Sequence, residues 1–330
     1  MKYTKIRNTD IQPVSRIGLG SWAIGGWLWG GTSEHDAINT ILAALERGVN
    51  LIDTAPVYGM GKAEEIIGQA LAIYGRREDV IIATKVGLEW DGNKIFRNSS
   101  KKRILKEIDE SLKRLGTDYI DIYQVHWPDA STPIGKTADV MHELYKNGKI
   151  RAIGASNYSP QQMDKFREYS PLHTSQPPFN LFEQGAVFDV LPYCHTYGIT
   201  TLTYGTLCRG LLSGRMKSDT EFKGDDIRKI DPKFQEPNYS KYLNAVEKLN
   251  EFTQGKYDKG IIYIAVRWVL DHEGVDIALW GARQPEQLEV VNEIMGWELD
   301  REAKNTIEKI IKESLPEPIG AEFMAPPEKS

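Results

Sequence analysis

The stretch LIDTAPVYG, residues 51–59, decides how the chain folds. The apolar residues that open it predict a buried strand over residues 49–52. An acid, Asp53, and a phenol, Tyr58, follow on the predicted loop just beyond. A strand that ends in two groups able to hold or release protons indicates an enzyme site at this end of the fold.

Two further apolar runs end in one polar residue each. The run VIIATK ends at Lys85, and the run YIDIYQVH ends at His126. The ends of neighbouring parallel strands meet at one edge of a sheet. If the strands lie side by side, a carboxylate, an ammonium, a phenol and an imidazole therefore come together.

Predicted strands and helices alternate along the rest of the chain. A small hairpin is predicted around residues 8–10, before the first long helix. Strands are then predicted over residues 17–20, 49–52, 80–85, 119–126, 150–156, 173–176, 199–204 and 276–281. Helices are predicted over residues 33–48, 62–71, 101–115, 136–147, from 159, and over 186–197, 240–270, 285–295 and 300–312.

Eight strands alternating with helices predict an α/β fold of the (β/α)8 TIM barrel type, with a short N-terminal hairpin and C-terminal helices and tail. The alternative, a doubly wound sheet, needs a Gly-x-Gly-x-x-Gly turn. Residues 18–20 read Gly-Leu-Gly without the third glycine, which disfavours it. No low-complexity linker divides the chain, so residues 1–330 are predicted to form one domain.

Composition excludes several classes of function. The formal net charge of −5 and the lack of a basic run give no basis for binding nucleic acid or a membrane surface. The polar N-terminus shows no signal peptide, and two cysteines do not make a disulfide framework. We therefore expect a cytoplasmic protein without a structural metal that acts on a small molecule as a monomer or weak homo-oligomer.

The four polar side chains suit reduction of a carbonyl group. A free phenol has a pKa near 10, so Tyr58 needs a nearby positive charge to release its proton near neutrality. Lys85 can supply that charge, and Asp53 can hold Lys85 in place. His126 can donate a hydrogen bond to the carbonyl oxygen. Because no side chain supplies a hydride, a nicotinamide cofactor is required.

Five motifs make the chain resemble the aldo-keto reductase superfamily over essentially its whole length: DTAPVYG, VIIATKVG, SLKRLGTDYIDIYQVHWPD, GKIRAIGASNYS and TLCRGLLSG. In particular, it is similar to bacterial NADPH-dependent reductases of the general-stress-protein type. The resemblance implies a barrel that reduces aldehydes or ketones with NADPH, using Asp53, Tyr58, Lys85 and His126 as its catalytic tetrad.

The resemblance also implies contacts for the cofactor and the substrate. Cofactor contacts are implied for Gly20, Ser21, Trp22, Asp53, Ser156, Asn157, Gln176, Tyr204, Gly205, Thr206, Leu207, Arg209, Gly210, Arg215, Arg228, Gly281, Arg283 and Gln287. Substrate contacts are expected for Trp22, Tyr58, His126 and Trp127.

Two positions depart from the family pattern. Gly20-Ser21 replaces the Gly-Thr of many relatives, and Val290-Val291 stands where many carry Glu-Asn to hold the adenine. The preference for NADPH over NADH rests on Arg215, Arg228 and Arg283, because a guanidinium suits a phosphate.

Two other functions stay open from the sequence. Channel β-subunits share the fold and bind NADPH while docking onto a partner, so an NADPH-sensing interaction module is one alternative. The other is a barrel lyase or aldolase that uses Lys85 as a Schiff base. A neighbouring Asp53 would keep that lysine charged, which disfavours the second alternative.

Overall fold

The computed structural model describes residues 1–92 and 94–328. Its strands are β1 (Tyr3–Thr4), β2 (Val14–Ser15), β3 (Ile17–Gly20), β4 (Leu51–Asp53), β5 (Ile81–Val86), β6 (Leu88–Asp91), β7 (Lys94–Arg97), β8 (Ile120–Val125), β9 (Ile150–Ser156), β10 (Thr174–Gln176), β11 (Thr200–Thr203) and β12 (Ile277–Gly281). Its α-helices are α1 (Glu34–Glu46), α2 (Lys62–Tyr74), α3 (Lys101–Leu115), α4 (Ile134–Lys146), α5 (Pro160–Arg167), α6 (Val190–Tyr197), α7 (Asn238–Tyr257), α8 (Ile261–Leu270) and α9 (Arg301–Ser314).

Eight of these strands close into a parallel barrel. Their order around the barrel is β3-β4-β5-β8-β9-β10-β11-β12, with β12 pairing back to β3. The antiparallel pair β1 and β2 forms the expected N-terminal hairpin. The predicted (β/α)8 barrel with an N-terminal hairpin is thus confirmed.

Alternation along each strand explains which residues enter the barrel. Side chains two positions apart share one face of a strand. Leu51 packs in the cluster that fills the barrel interior, so Asp53 lies on the same inward face at the strand end. Ile81 and Ala83 pack in the same cluster, so Lys85, two positions further along that strand, also faces inward. The pattern that builds the core therefore also delivers the polar residues to one rim.

Strand register places the rim residues side by side. Gly20 pairs with Asp53, and Lys85 pairs with Gln124 on the next strand. Gln176 pairs with Ser156 further around the barrel. The carboxyl ends of the strands, where barrel enzymes carry their active sites, thus hold the candidate residues.

Two predicted elements differ in the structure. The helix predicted over 240–270 is two helices, because Asp258 adopts a left-handed φ of 51° and ends α7. The helix predicted over 285–295 is absent from the described chain, which forms two single turns at Pro285–Leu288 and Glu293–Gly296. The β-branched pair at 290–291 between these turns disfavours a helix.

One element was not predicted. The strands β6 and β7 form an antiparallel hairpin directly after β5. It lies beside the barrel mouth, where Leu88 and Ile95 reach the cavity next to the candidate tetrad. In the residues described, no helix is both long enough and apolar enough to cross a membrane.

Candidate active site

A fully buried ammonium lies at the centre of the rim. Lys85 Nζ donates to Asp53 Oδ1 at 2.6 Å, to the Thr54 carbonyl at 2.9 Å and to Tyr58 Oη at 3.2 Å. Lysine has three N–H donors, so each of them has an acceptor here. The amine is therefore fixed in one orientation, with its charge against the phenol.

The pKa of Tyr58 does not follow the expectation from the sequence. Burial raises it above the ordinary value, and the charge and hydrogen bond of Lys85 oppose that rise without reversing it. The expected net lowering was wrong, because the motif does not show how much hydration the half-buried phenol loses at the barrel mouth. Burial lowers the pKa of Lys85, but Asp53 and Tyr58 outweigh it, so the net pKa is raised and the lysine stays charged.

The imidazole of His126 lies edge-on to the phenol. The two ring centroids are 5.8 Å apart, with an angle of 82° between the planes. Burial, and then the charge of Lys85, lower the pKa of His126 well below its ordinary value. The ring is therefore neutral near pH 7 and offers a single N–H as a donor.

Two buried side-chain amides contact the second oxygen of the Asp53 carboxylate. Gln176 Nε2 donates to Asp53 Oδ2 at 2.7 Å, and Gln124 Nε2 approaches the same oxygen at 3.4 Å. Thr174 Oγ1 in turn lies 3.5 Å from Gln124 Oε1. Gln124 was missed from the sequence, although its position two residues before His126 on one strand was a usable signal.

A cavity of about 210 Å³ opens beside the tetrad. It is lined by most of the residues expected to contact the cofactor: Gly20, Ser21, Trp22, Asp53, Tyr204, Gly205, Thr206, Leu207, Arg209, Gly210, Arg228, Gly281, Arg283 and Gln287. Among the described residues, Ser21 Oγ, Trp29 Nε1 and Thr206 Oγ1 are buried at this cavity without a hydrogen-bond partner. Such orphaned groups fit an elongated polar ligand, as a nicotinamide dinucleotide is.

The four arginines expected near the cofactor have different surroundings. Arg228 makes a two-point ion pair with Asp226 and stacks on the Trp29 ring at 5.2 Å. Arg283 lines the cavity and donates to the Trp29 carbonyl. Arg209 lines the cavity but keeps its guanidinium in buried ion pairs.

Arg215 does not line the cavity and is exposed on the surface. The expectation that it contacts the cofactor is therefore not supported, since the chain turns away at Gly214 with a φ of 73°. The two valines that replace the usual Glu-Asn also stay clear of the cavity: Val291 is fully buried in the core.

A second cavity of about 270 Å³ adjoins the first and shares Trp22, Tyr58 and Tyr204 with it. All four expected substrate contacts line it, and so do Ser156, Asn157 and Gln176. The remaining wall is mostly apolar and comes from Trp27, Leu28, Val57, Leu88, Ile95, Ile227, Ile230, Phe323, Met324, Pro326 and Pro327. The polar side chains at the rim thus lie where the two cavities adjoin.

A hydrogen bond between Asn157 and Tyr204 holds both side chains in place where the two cavities meet. Tyr204 Oη donates to Asn157 Oδ1 at 2.9 Å, and Asn157 Nδ2 donates to the His126 carbonyl at 3.0 Å. Asn157 has a left-handed φ of 62°, which asparagine tolerates better than most residues. The described residues contain no group of histidines, cysteines and acids arranged to hold a metal ion.

A parallel barrel with an acid–base cluster at its carboxyl rim is the architecture of an enzyme. The model of the aldo/keto reductase family matches residues 16–312, and the chain belongs to that family. The aldo-keto reductase YhdN of Bacillus subtilis (strain 168) is 56% identical, covering 99% of this chain and 98% of its own. The NADH-specific methylglyoxal reductase of Escherichia coli (strain K12) is 37% identical, covering 87% of this chain and 91% of its own.

A solved structure shows the same architecture. The glycerol dehydrogenase AKR11B4 from Gluconobacter oxydans superposes with a TM-score of 0.87 at 49% sequence identity. The match covers 98% of this chain and 99% of that chain. The barrel and its long connecting segments are therefore shared with a dehydrogenase along the whole chain.

Proposed function

We propose that the protein is an NADPH-dependent reductase that converts small aldehydes and ketones to alcohols, with Tyr58 as the proton donor. The observation that carries this proposal is the 3.2 Å contact between Lys85 Nζ and Tyr58 Oη, with the ammonium held by Asp53. A buried phenol beside a fixed positive charge is an acid placed at the mouth of a cavity.

The proton transfer depends on charges that are already in position. As Tyr58 releases its proton to the carbonyl oxygen, the developing phenolate faces the ammonium of Lys85. Because Lys85 is fully buried, water does not screen this attraction. The neutral His126 offers its N–H to the carbonyl oxygen and so orients the carbonyl group. NADPH, when bound, supplies the hydride.

Residues of the first cavity would hold the cofactor. Ser21 and Thr206 offer hydroxyl groups that lack partners among the described residues. Tyr204 offers an aromatic face for the nicotinamide. Arg228 and Arg283 line the same cavity and suit a 2′-phosphate. These two cations support NADPH, although one relative is named as NADH-specific.

The cofactor preference is tested by comparing Arg283→Ala with wild type on a panel of aldehydes, ketones and sugars. Loss of a charged hydrogen bond to phosphate is expected to raise the KM for NADPH roughly tenfold or more. The KM for NADH should stay close to the wild-type value. Arg215→Ala is the matched control, because this arginine is exposed and lies outside the cavity lining.

Three results decide the proposal. Turnover of carbonyls with NADPH, together with a selective defect in Arg283→Ala, supports it. Equal defects with both cofactors would remove the argument for NADPH. No turnover of any carbonyl, with a stable stoichiometric partner recovered in a pull-down, would favour the interaction module instead.

The remaining assignments belong to the same proposal. Residues 1–330 act as one domain in the cytoplasm, on a small molecule and without nucleic acid or a membrane. Light scattering on the purified protein is expected to give the mass of one chain or a weak dimer that dissociates on dilution. A stable larger assembly would contradict this part of the proposal.

A further inference from the structure

Four charged side chains form a second buried cluster away from the tetrad. It consists of Glu183, Arg209, Asp231 and Lys233, and we call it the loop cluster. Arg209 pairs with both acids, and Lys233 Nζ lies 2.9 Å from Glu183 Oε1. Lys233 is fully buried, and desolvating an ammonium is costly unless several partners compensate it. Because burying these charges is costly, we expect the loop cluster to have a structural or functional role.

The loop cluster holds the C-terminal tail. Lys233 Nζ donates to the carbonyl of Gly320 at 2.7 Å. Three residues further on, the Phe323 ring lies 5.3 Å from the Arg209 guanidinium and 5.8 Å from Lys233 Nζ. Met324 Sδ accepts from Arg209 Nη1 at 3.7 Å. The tail is therefore held at the cluster by the charged hydrogen bond to Gly320, by two cation–π contacts of Phe323 and by the sulfur contact of Met324.

One member of the loop cluster, Arg209, belongs to the wall of the first cavity. Arg209 lines the first cavity and sits on the 205–210 segment with a strained left-handed φ of 54°. Asn180 bridges Glu183 Oε2 and the Gly205 carbonyl at 2.7 and 3.0 Å. Met324 lines both cavities, whereas Phe323 lines only the second. Arg209 thus connects the wall of the first cavity to two tail residues that line the second.

We propose that Lys233 is a positioning residue that holds Phe323 and Met324 in the wall of the second cavity, where the carbonyl substrate would bind. Through Arg209, this position of the tail is coupled to dinucleotide binding on the 205–210 segment. The inference rests on the proposed reductase function and adds to it a link between the two sites. A dinucleotide that orders the 205–210 segment orders Arg209, and Arg209 carries the contacts to Phe323 and Met324. Linkage is reciprocal, so a seated tail also strengthens dinucleotide binding.

The coupling can be tested in the wild-type protein without turnover. Chymotrypsin cleaves after Phe323 only when the tail leaves the loop cluster, and mass spectrometry identifies the product that ends there. Saturating NADP⁺ is expected to slow this cleavage several-fold. An unchanged cleavage rate, at a concentration where tryptophan fluorescence shows that NADP⁺ is bound, would overturn the coupling.

The role of Lys233 is tested with Lys233→Met. Loss of one charged hydrogen bond is expected to raise the KM for aldehyde roughly tenfold, with kcat nearly unchanged. NADP⁺ should no longer protect the tail from chymotrypsin. Lys309→Met is the matched control, because the Lys309 side chain is 74% exposed and its ion pair with Glu313, at 3.9 Å, lies on the surface.

A second variant separates positioning from general damage to the fold. Phe323→Ala leaves the loop cluster intact and should raise the KM for aldehyde by a similar factor. Adding Lys233→Met to it should then have little further effect, since both changes act through the seated tail. Additive effects, or a Lys233→Met protein that loses kcat while its tail stays protected, would overturn the proposal. A wild-type protein that protects its tail but reduces no carbonyl would refute only the reductase function.

Discussion

Replacing Lys85 by methionine is the perturbation that most fully tests the buried tetrad. The change keeps an unbranched side chain that is one heavy atom shorter and removes the ammonium with its three hydrogen bonds. Among the residues that the structure describes, the carboxylate of Asp53 then keeps the amide donors of Gln176 and Gln124. Its carboxylate, 4% exposed, is left without an opposite charge in the barrel mouth.

The expected loss in the free energy of unfolding follows from the burial of Asp53. Breaking a buried ion pair by removing one partner costs about 3–5 kcal/mol, because the remaining charge is desolvated and uncompensated. The free energy of unfolding should therefore fall by about that amount. Catalysis should suffer as well, since the phenolate of Tyr58 loses its stabilising charge. We expect kcat to fall by about 10²–10⁴, the range for loss of a positioned acid–base group.

Urea unfolding followed by tryptophan fluorescence measures the first effect, and NADPH absorbance measures the second. The double variant Asp53→Asn with Lys85→Met removes both charges and should be more stable than Lys85→Met alone. Lys62→Met is the control, because its ion pair with Glu34 lies on the surface and should contribute little to stability. A Lys85→Met protein with wild-type stability and turnover would refute the reasoning.

Three further predictions follow from the same geometry. The folded protein binds fewer protons at His126 than the unfolded chain does at low pH, because burial lowers its pKa. Wild type should therefore lose stability as the pH falls from 7.5 to 5.5, and His126→Gln should lose less over the same range in urea unfolding. Gly59→Ala would bring a Cβ within 2.3 Å of the Gly25 carbonyl oxygen at a φ of 67°. We expect a loss of more than about 1 kcal/mol and a lower kcat, as the loop that carries Tyr58 must shift; thermal unfolding and steady-state rates check this. Gln124→Leu should lower kcat while leaving the Kd for NADP⁺ unchanged, and an altered Kd would contradict the view that it acts through Asp53.

The fold and the rim could be predicted because one pattern encodes both. The alternation that buries Leu51 also turns Asp53 inward, and the same holds along the strand that ends at Lys85. The barrel brings such strand ends together whatever their separation in the chain. Sequence spacing alone was therefore enough to place these side chains at one edge.

Other features depend on packing that no local pattern records. The pKa of Tyr58 rises because packing at the barrel mouth removes water from the phenol, which the motif does not reveal. Arg209 looks like a phosphate ligand in the sequence, but its guanidinium is committed to Glu183 and Asp231. These partners lie on separate segments, and no periodicity links them. Arg215 looked equivalent and lies on the surface instead.

The central claim is that Tyr58 delivers the proton during carbonyl reduction. Stopped-flow absorbance on protein preloaded with NADPH and mixed with an aldehyde measures a single turnover and separates chemistry from product release. Wild type is expected to consume its bound NADPH in one fast phase. Tyr58→Phe should bind NADPH with an unchanged Kd yet lose the fast phase by a factor of about 10² or more. Equal rates of NADPH consumption in the two proteins would contradict the account.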